Sequence, residues 1–210
     1  MQGAAERLYL ITGGGGDSGA VTEKIGLALE AGIRLIQLRE KGLSARELLR
    51  LARQLRASTR KYGARLIIND RLDIALLSEA DGVHLGQRSC SAGEARKLIG
   101  KGKIIVVSAH SLKEARKAEG DGADFITLGP VFNTPSKAAY GEPVGIEMLK
   151  SVCDGIDIPV YAIGGIKVGN VKEVLSSGAR GIAVISAIMG SSDIKKSAAE
   201  MLKCLADRST

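Results

Sequence analysis

Arg34-Leu35-Ile36-Gln37-Leu38-Arg39-Glu40-Lys41 changes character along its length. It begins as an apolar run, which reads as a strand buried in a parallel sheet. Its far end carries Gln37, Arg39 and Lys41, and a buried strand has no cheap use for such groups. In a (β/α)8 barrel the carboxyl ends of the strands form the catalytic mouth, so polar residues there read as site residues. Arg39 and Lys41 point to an anionic ligand: Arg grips phosphate with a planar fork, and Lys acts as a point charge.

The same alternation of short β-rich runs and helical patterns extends in both directions. Strands are expected at 8–12, 35–39, 66–69, 82–85, 104–108, 125–128, 160–163 and 181–185. Between them lie apolar stripes at helical spacing, such as Leu48, Leu49, Leu51, Ala52 and Leu55, or Val171, Val174 and Leu175. Ser44 with Glu47, and Ser111 with Glu114, read as capping boxes that open helices. Eight such units without a composition break favour a closed α/β structure, a (β/α)8 TIM barrel, over an open doubly wound sheet. The chain of 210 residues reads as one domain over residues 1–210, near the short limit for this fold. No linker, second domain or repeat is visible. The glycine run Gly13-Gly14-Gly15-Gly16 follows the first strand and reads as a mobile loop, since it lacks GxGxxG order and a P-loop Lys.

Composition narrows the function. Aromatic residues are 3% of the chain and there is no Trp, so Leu, Ile, Val and Ala must fill the core. The net charge of +7 is spread over helical segments without interleaved aromatics, which argues against nucleic acid. Some of it can steer anionic substrates. Cys90, Cys153 and Cys204 are odd in number and form no CxxC, so neither a disulfide framework nor a zinc site is expected. No long apolar run and no signal-peptide pattern appears, so the expectation is a cytoplasmic protein without a membrane partner.

Chemistry-bearing residues recur at the predicted strand ends: Gln37, Arg39 and Lys41; Asn69 and Asp70; His84 and Gln87; Ser108 and His110; the loop 129–137 with Thr134, Ser136 and Lys137; Gly164 and Gly165; Ile185 and Ser186. Asp70 and Asp81 are candidate Mg²⁺ ligands, because Mg²⁺ takes one or two carboxylates together with substrate phosphate oxygens. Asp70 could instead cap the next helix, and Asp81 could be a turn residue before Gly82. Gly165 and the Ile185–Ser186 amides match the phosphate cradle after the seventh and eighth strands of a barrel. Two anion sites follow: one metal-assisted (Arg39, Lys41, Asp70, Asp81, Lys137) and one of backbone amides. They imply two phosphorylated substrates or one bisphosphate. His84 reads equally as a satisfied core histidine or a functional one. No arrangement for covalent catalysis is legible.

Taken in order, these motifs make the chain resemble the thiamine-phosphate synthase family over nearly its whole length. The resemblance implies a transferase of thiamine biosynthesis. It would join 4-amino-2-methyl-5-hydroxymethylpyrimidine diphosphate to 4-methyl-5-(2-phosphoethyl)thiazole and release pyrophosphate by a Mg²⁺-assisted dissociative displacement. By that resemblance Asp70 and Asp81 hold the metal, and Asp81→Ala would abolish Mg²⁺-dependent turnover while the fold survives. Gln37, Arg39, Lys41, Asn69, Ser108 and Lys137 surround the pyrimidine diphosphate, with Arg39, Lys41, Ser108 and Lys137 as the catalytic set. Thr134, Ser136, Gly165, Ile185 and Ser186 hold the thiazole phosphate. The partners are these two small molecules and a second copy in a homodimer.

Three departures from the family pattern stand out. Gly13 occupies a place usually held by Asp, Ala109 lies between Ser108 and His110, and Ser136 replaces a Thr. Two rivals share the barrel: a thiazole tautomerase, which needs no diphosphate grip, and a non-catalytic regulator that binds thiazole or thiamine phosphate. Lys41, Asp70, Asp81 and Lys137 argue against the tautomerase, and retention of the metal residues argues against the regulator.

Overall fold

The structure is a computed structural model that describes residues 4, 6–13, 17–134 and 142–207. Eight parallel strands close on themselves: β1 (Leu8–Ile11), β2 (Leu35–Leu38), β3 (Arg65–Asn69), β4 (Gly82–Leu85), β5 (Ile104–Ala109), β6 (Phe125–Leu128), β7 (Val160–Ile163) and β8 (Gly181–Val184). β8 returns to β1, with Leu10 beside Val184. The connecting helices are α1 (Ser18–Glu30), α2 (Ala45–Lys61), α3 (Leu72–Leu77), α4 (Ala92–Ile99), α5 (Leu112–Gly120), α6 (Gly145–Gly155), α7 (Val171–Ser176) and α8 (Ser186–Met189), and α9 (Ile194–Ala206) packs back on α1. All eight expected strands are present within a residue or two of their bounds. Among the described residues no helix is long and apolar enough to cross a membrane.

Two apolar cores follow from the alternation of side chains along a strand. Outward-facing residues such as Leu10, Ile36, Leu38, Leu66 and Ile68 pack under the helices with Leu51, Leu55 and Val174. Inward-facing Tyr9, Leu35, Ile67, Val106, Phe125, Tyr161 and Ala183 fill the barrel. Truncating a fully buried member such as Ile36 would cost about 2–5 kcal/mol.

The helix starts are largely written in the sequence. Ser44 and Glu47 form the expected capping box on α2, and Ser91 with Glu94 forms another on α4 that the sequence reading missed. On α5, Ser111 accepts the Glu114 amide at 3.2 Å. The Glu114 carboxylate accepts the amide of His110 at 2.7 Å, so this box is only half made.

The amino end of the barrel carries one arrangement twice. Asp81, just before β4, accepts the Leu66 amide of β3 at 2.7 Å and pairs with Arg56 of α2 at 2.8 Å. Asp124, just before β6, accepts the Ile105 amide of β5 at 2.6 Å and pairs with Arg96 of α4 at 2.7 Å. Each clamp joins a helix, the strand after it and the start of the next strand. This is a structural repeat with a period of two βα units, which the sequence does not advertise.

Candidate functional site

Above the apolar filling, the barrel interior turns polar. His84 lies near the end of β4 at 4% exposure and is stacked on the Tyr9 ring, centroids 5.9 Å apart. Its Nδ1 accepts a close hydrogen bond from Gln37 Nε2, and the Tyr9 hydroxyl lies 3.1 Å from the same nitrogen. Gln37 Nε2 also donates to Tyr9 Oη at 2.7 Å. Because Nδ1 accepts, the ring proton belongs on Nε2, which stands 2.8 Å from Ser108 Oγ with Thr127 Oγ1 at 3.4 Å. Burial disfavours the imidazolium, and nearby Arg39 adds repulsion, so the His84 pKa is lowered to about 3. Burial likewise pushes the Tyr9 phenol well above its ordinary value. The layer is therefore neutral at physiological pH. Tyr9 and Thr127 were not anticipated from the sequence, where they read only as strand residues.

Arg39 follows β2, with its amide held by Thr12 Oγ1 at 2.9 Å. Arg39 is half-buried, and its guanidinium has neither an ion pair nor a hydrogen bond among the described residues. A half-buried, uncompensated guanidinium at a barrel mouth is a ready anion receptor. Lys41 stands two residues on, exposed.

Asn69 ends β3 in register with His84. Asp70 follows with φ at 65°, an unusual backbone region that Asp tolerates better than most residues. Its amide is tied to the His84 carbonyl at 2.8 Å. The exposed Asp70 carboxylate accepts a close hydrogen bond from Ser89 Oγ, which also accepts the Gly86 amide at 2.8 Å. The alternative reading of Asp70 as a helix cap is not met: Arg71 precedes α3, with no side-chain cap.

Asp81 does not belong to this group, and the expectation that it joins Asp70 at the mouth is corrected. It precedes β4, so it lies at the opposite end of the barrel, and its carboxylate is engaged in the clamp with Arg56 and Leu66. The oxygen-bearing residue brought to Asp70 is Ser89. The available signal was order along the chain, because mouth residues follow their strands and Ser89 follows β4. Among the described residues no group of three or more His, Cys, Asp or Glu gathers into a metal cage.

The backbone site lies across the mouth after β7 and β8. Gly164 and Gly165 adopt φ of 95° and 67°. A Cβ on Gly165 would stand 2.7 Å from Phe132 Cβ, so the loop after β6 fits only against glycine. That loop is tied down where Phe132 N donates to Gly164 O at 3.1 Å, which brings Thr134 to the same side. Ile185 precedes α8 and Ser186 opens it. Ser136 and Lys137 lie outside the described residues. His110 follows β5, half-buried, with Nδ1 at 3.1 Å from Glu114, while Gln87 Nε2 donates to Glu114 at 2.9 Å and to the Ser108 carbonyl at 3.0 Å.

Comparison with known proteins places this geometry in context. The family described as thiamine monophosphate synthase matches residues 8–188. A thiamine-phosphate synthase of Moorella thermoacetica is 50% identical over 171 residues, 81% of each chain. One of Halalkalibacterium halodurans is 47% identical over 193 residues, 90% of each. Among solved structures, a thiamine phosphate pyrophosphorylase from Pyrococcus furiosus superposes with a TM-score of 0.86 at 39% identity, covering 96% of both chains.

Proposed function

The chain belongs to the thiamine monophosphate synthase family, and from that premise we propose how its mouth forms thiamine phosphate. The activity is that of a transferase in thiamine biosynthesis. Its substrates are 4-amino-2-methyl-5-hydroxymethylpyrimidine diphosphate and 4-methyl-5-(2-phosphoethyl)thiazole. The carbon–oxygen bond to the diphosphate breaks, leaving a pyrimidinylmethyl cation and pyrophosphate. The thiazole nitrogen then donates its electron pair to that carbon, giving thiamine phosphate.

The observation that carries this reading is the half-buried Arg39 guanidinium, unpaired among the described residues and set beside a neutral polar layer. It receives the departing diphosphate, with Lys41 and Lys137 adding positive charge. Gln37, Asn69 and Ser108 orient the pyrimidine. Gly165, Ile185 and Ser186, with Thr134 and Ser136, hold the thiazole phosphate through amides and hydroxyls, as glycine turns and helix starts do. Positioning and charge neutralisation supply the acceleration, and no protein nucleophile is required.

Mg²⁺ fits these residues. Asp70 offers one carboxylate with the Ser89 hydroxyl against it, and Mg²⁺ takes few protein carboxylates when substrate phosphates complete its shell. When bound it would neutralise charge on the leaving diphosphate. The reading includes one domain, supported by closure of β8 on β1. It includes a cytoplasmic location, supported by three free cysteines. It also includes a homodimer, to be tested by sedimentation equilibrium.

The deciding experiment is pyrophosphate release from purified protein given both substrates, with Mg²⁺ or with EDTA. Release that needs both substrates and metal supports the reading. Binding of the thiazole phosphate without release would move the assignment to the tautomerase or the regulator.

A further inference from the structure

The polar layer holds a histidine whose purpose the proposed chemistry does not use. His84 is buried, stacked on Tyr9, and saturated on its Nδ1 side by Gln37 and Tyr9. Its one remaining group is Nε2–H, spent on Ser108 Oγ at 2.8 Å. Ser108 is half-buried at the end of β5 and belongs to the mouth. Its carbonyl is held from the same direction, by Gln87 at 3.0 Å. The segment that ends β4 therefore fixes both the side chain and the backbone of Ser108. Thr127 Oγ1 lies 3.5 Å from Ser108 Oγ as a weaker neighbour.

We propose that His84 is a positioning residue, which holds the Ser108 hydroxyl as a fixed neutral donor and so leaves the Ser108 hydrogen free for the pyrimidine diphosphate. Nε2–H occupies a lone pair of Ser108 Oγ, so the hydroxyl cannot turn inward to donate to His84. Its own hydrogen is then left for the Thr127 hydroxyl, 3.5 Å away, or for an acceptor above the strand ends. Gln37 and Tyr9 supply the second half of the device, because their hydrogen bonds to Nδ1 lock the tautomer.

The inference rests on the synthase reading for its substrate and on the fold alone for its geometry. Two measurements keep these apart. In the ligand-free full chain labelled with ¹⁵N, Nδ1 should report as unprotonated and Nε2 as protonated from about pH 5 to about pH 8. Ser108→Ala should move the Nε2 signal. A titrating ring, or a proton on Nδ1, overturns the proposal whatever the enzyme makes.

The second measurement is kinetic. Glutamine can place an amide N–H near the position of Nε2, whereas asparagine reaches only the position of Nδ1. Wild-type pyrophosphate release from both substrates is the control, and its failure counts against the synthase reading alone. His84→Asn should lower kcat by about 10²-fold, the scale expected for a group misplaced by an ångström, with KM for the thiazole phosphate unchanged. His84→Gln should recover most of that loss. His84→Asn added to Ser108→Ala should cost nothing further. Equal damage from Asn and Gln, or additive losses in the double variant, would show that His84 does not act through Ser108.

Discussion

Asp81 Oδ2 lies 2.8 Å from Arg56 Nη1, at the end of the barrel away from the mouth. Both side chains are largely buried, at 25% and 16% exposure, and the same carboxylate oxygen also receives the Leu66 amide. Asp81→Ala should therefore destabilise the fold by about 2–4 kcal/mol, since it strands a half-buried cation and a strand amide. Chemical denaturation should read this loss while the Mg²⁺ dependence of the folded enzyme stays at the wild-type value. Full stability with a raised metal requirement would return Asp81 to the metal site.

Arg39 has the opposite profile. It supports no other side chain among the described residues, so Arg39→Ala should leave the melting temperature nearly unchanged. Turnover should fall by about 10²–10³-fold, as when a preorganised donor to a developing anion is removed. Arg39→Lys should recover little of it, because the planar fork is lost. Initial rates of pyrophosphate release check both.

Asp70 and Ser89 make a graded pair. Asp70→Asn should raise the Mg²⁺ concentration needed for half-maximal turnover more than any other single change at the mouth. Ser89→Ala removes only the hydroxyl that orients the carboxylate, for which a shift of about tenfold is expected. Titrating Mg²⁺ against initial rate gives both numbers. A Ser89→Ala enzyme with wild-type metal dependence would exclude Ser89 from the site.

The buried imidazole sets a pH limit on stability. An unfolded chain protonates His84 near the ordinary histidine value of 6.5, whereas the native chain resists until about pH 3. Within that window the unfolded state binds the extra proton. Stability should therefore fall as pH is lowered, by roughly 1.4 kcal/mol per pH unit from this group. The contribution is intact above the window. His84→Gln should flatten that part of the curve, and unfolding free energies measured from neutral to acid pH will test it.

Strand positions and barrel closure were legible because each strand is a short apolar run bounded by helical spacing, and each mouth residue follows its strand. Asp81 was misplaced because Asp-Gly at a strand edge carries the same letters at either end of a barrel, and only the direction of the chain separates them. Ser89 escaped notice because a loop hydroxyl has no periodicity. The linkage of Tyr9, Gln37, His84 and Ser108 spans four strands that are far apart in sequence, and only closure of the barrel brings them together. Arg39 could be assigned early because a buried strand has no cheap use for an Arg at its carboxyl end.

The paired clamps also mark where the barrel can be divided. Arg56, Leu66 and Asp81 fall within residues 56–81, and Arg96, Ile105 and Asp124 within residues 96–124. A backbone break between Gly86 and Ser91 leaves each clamp inside one fragment. A break inside α3 or α5 cuts through one. The molecule is thus built as self-buttressed modules, and complementation between fragments should succeed at the seam after β4 before it succeeds at the seams within a module.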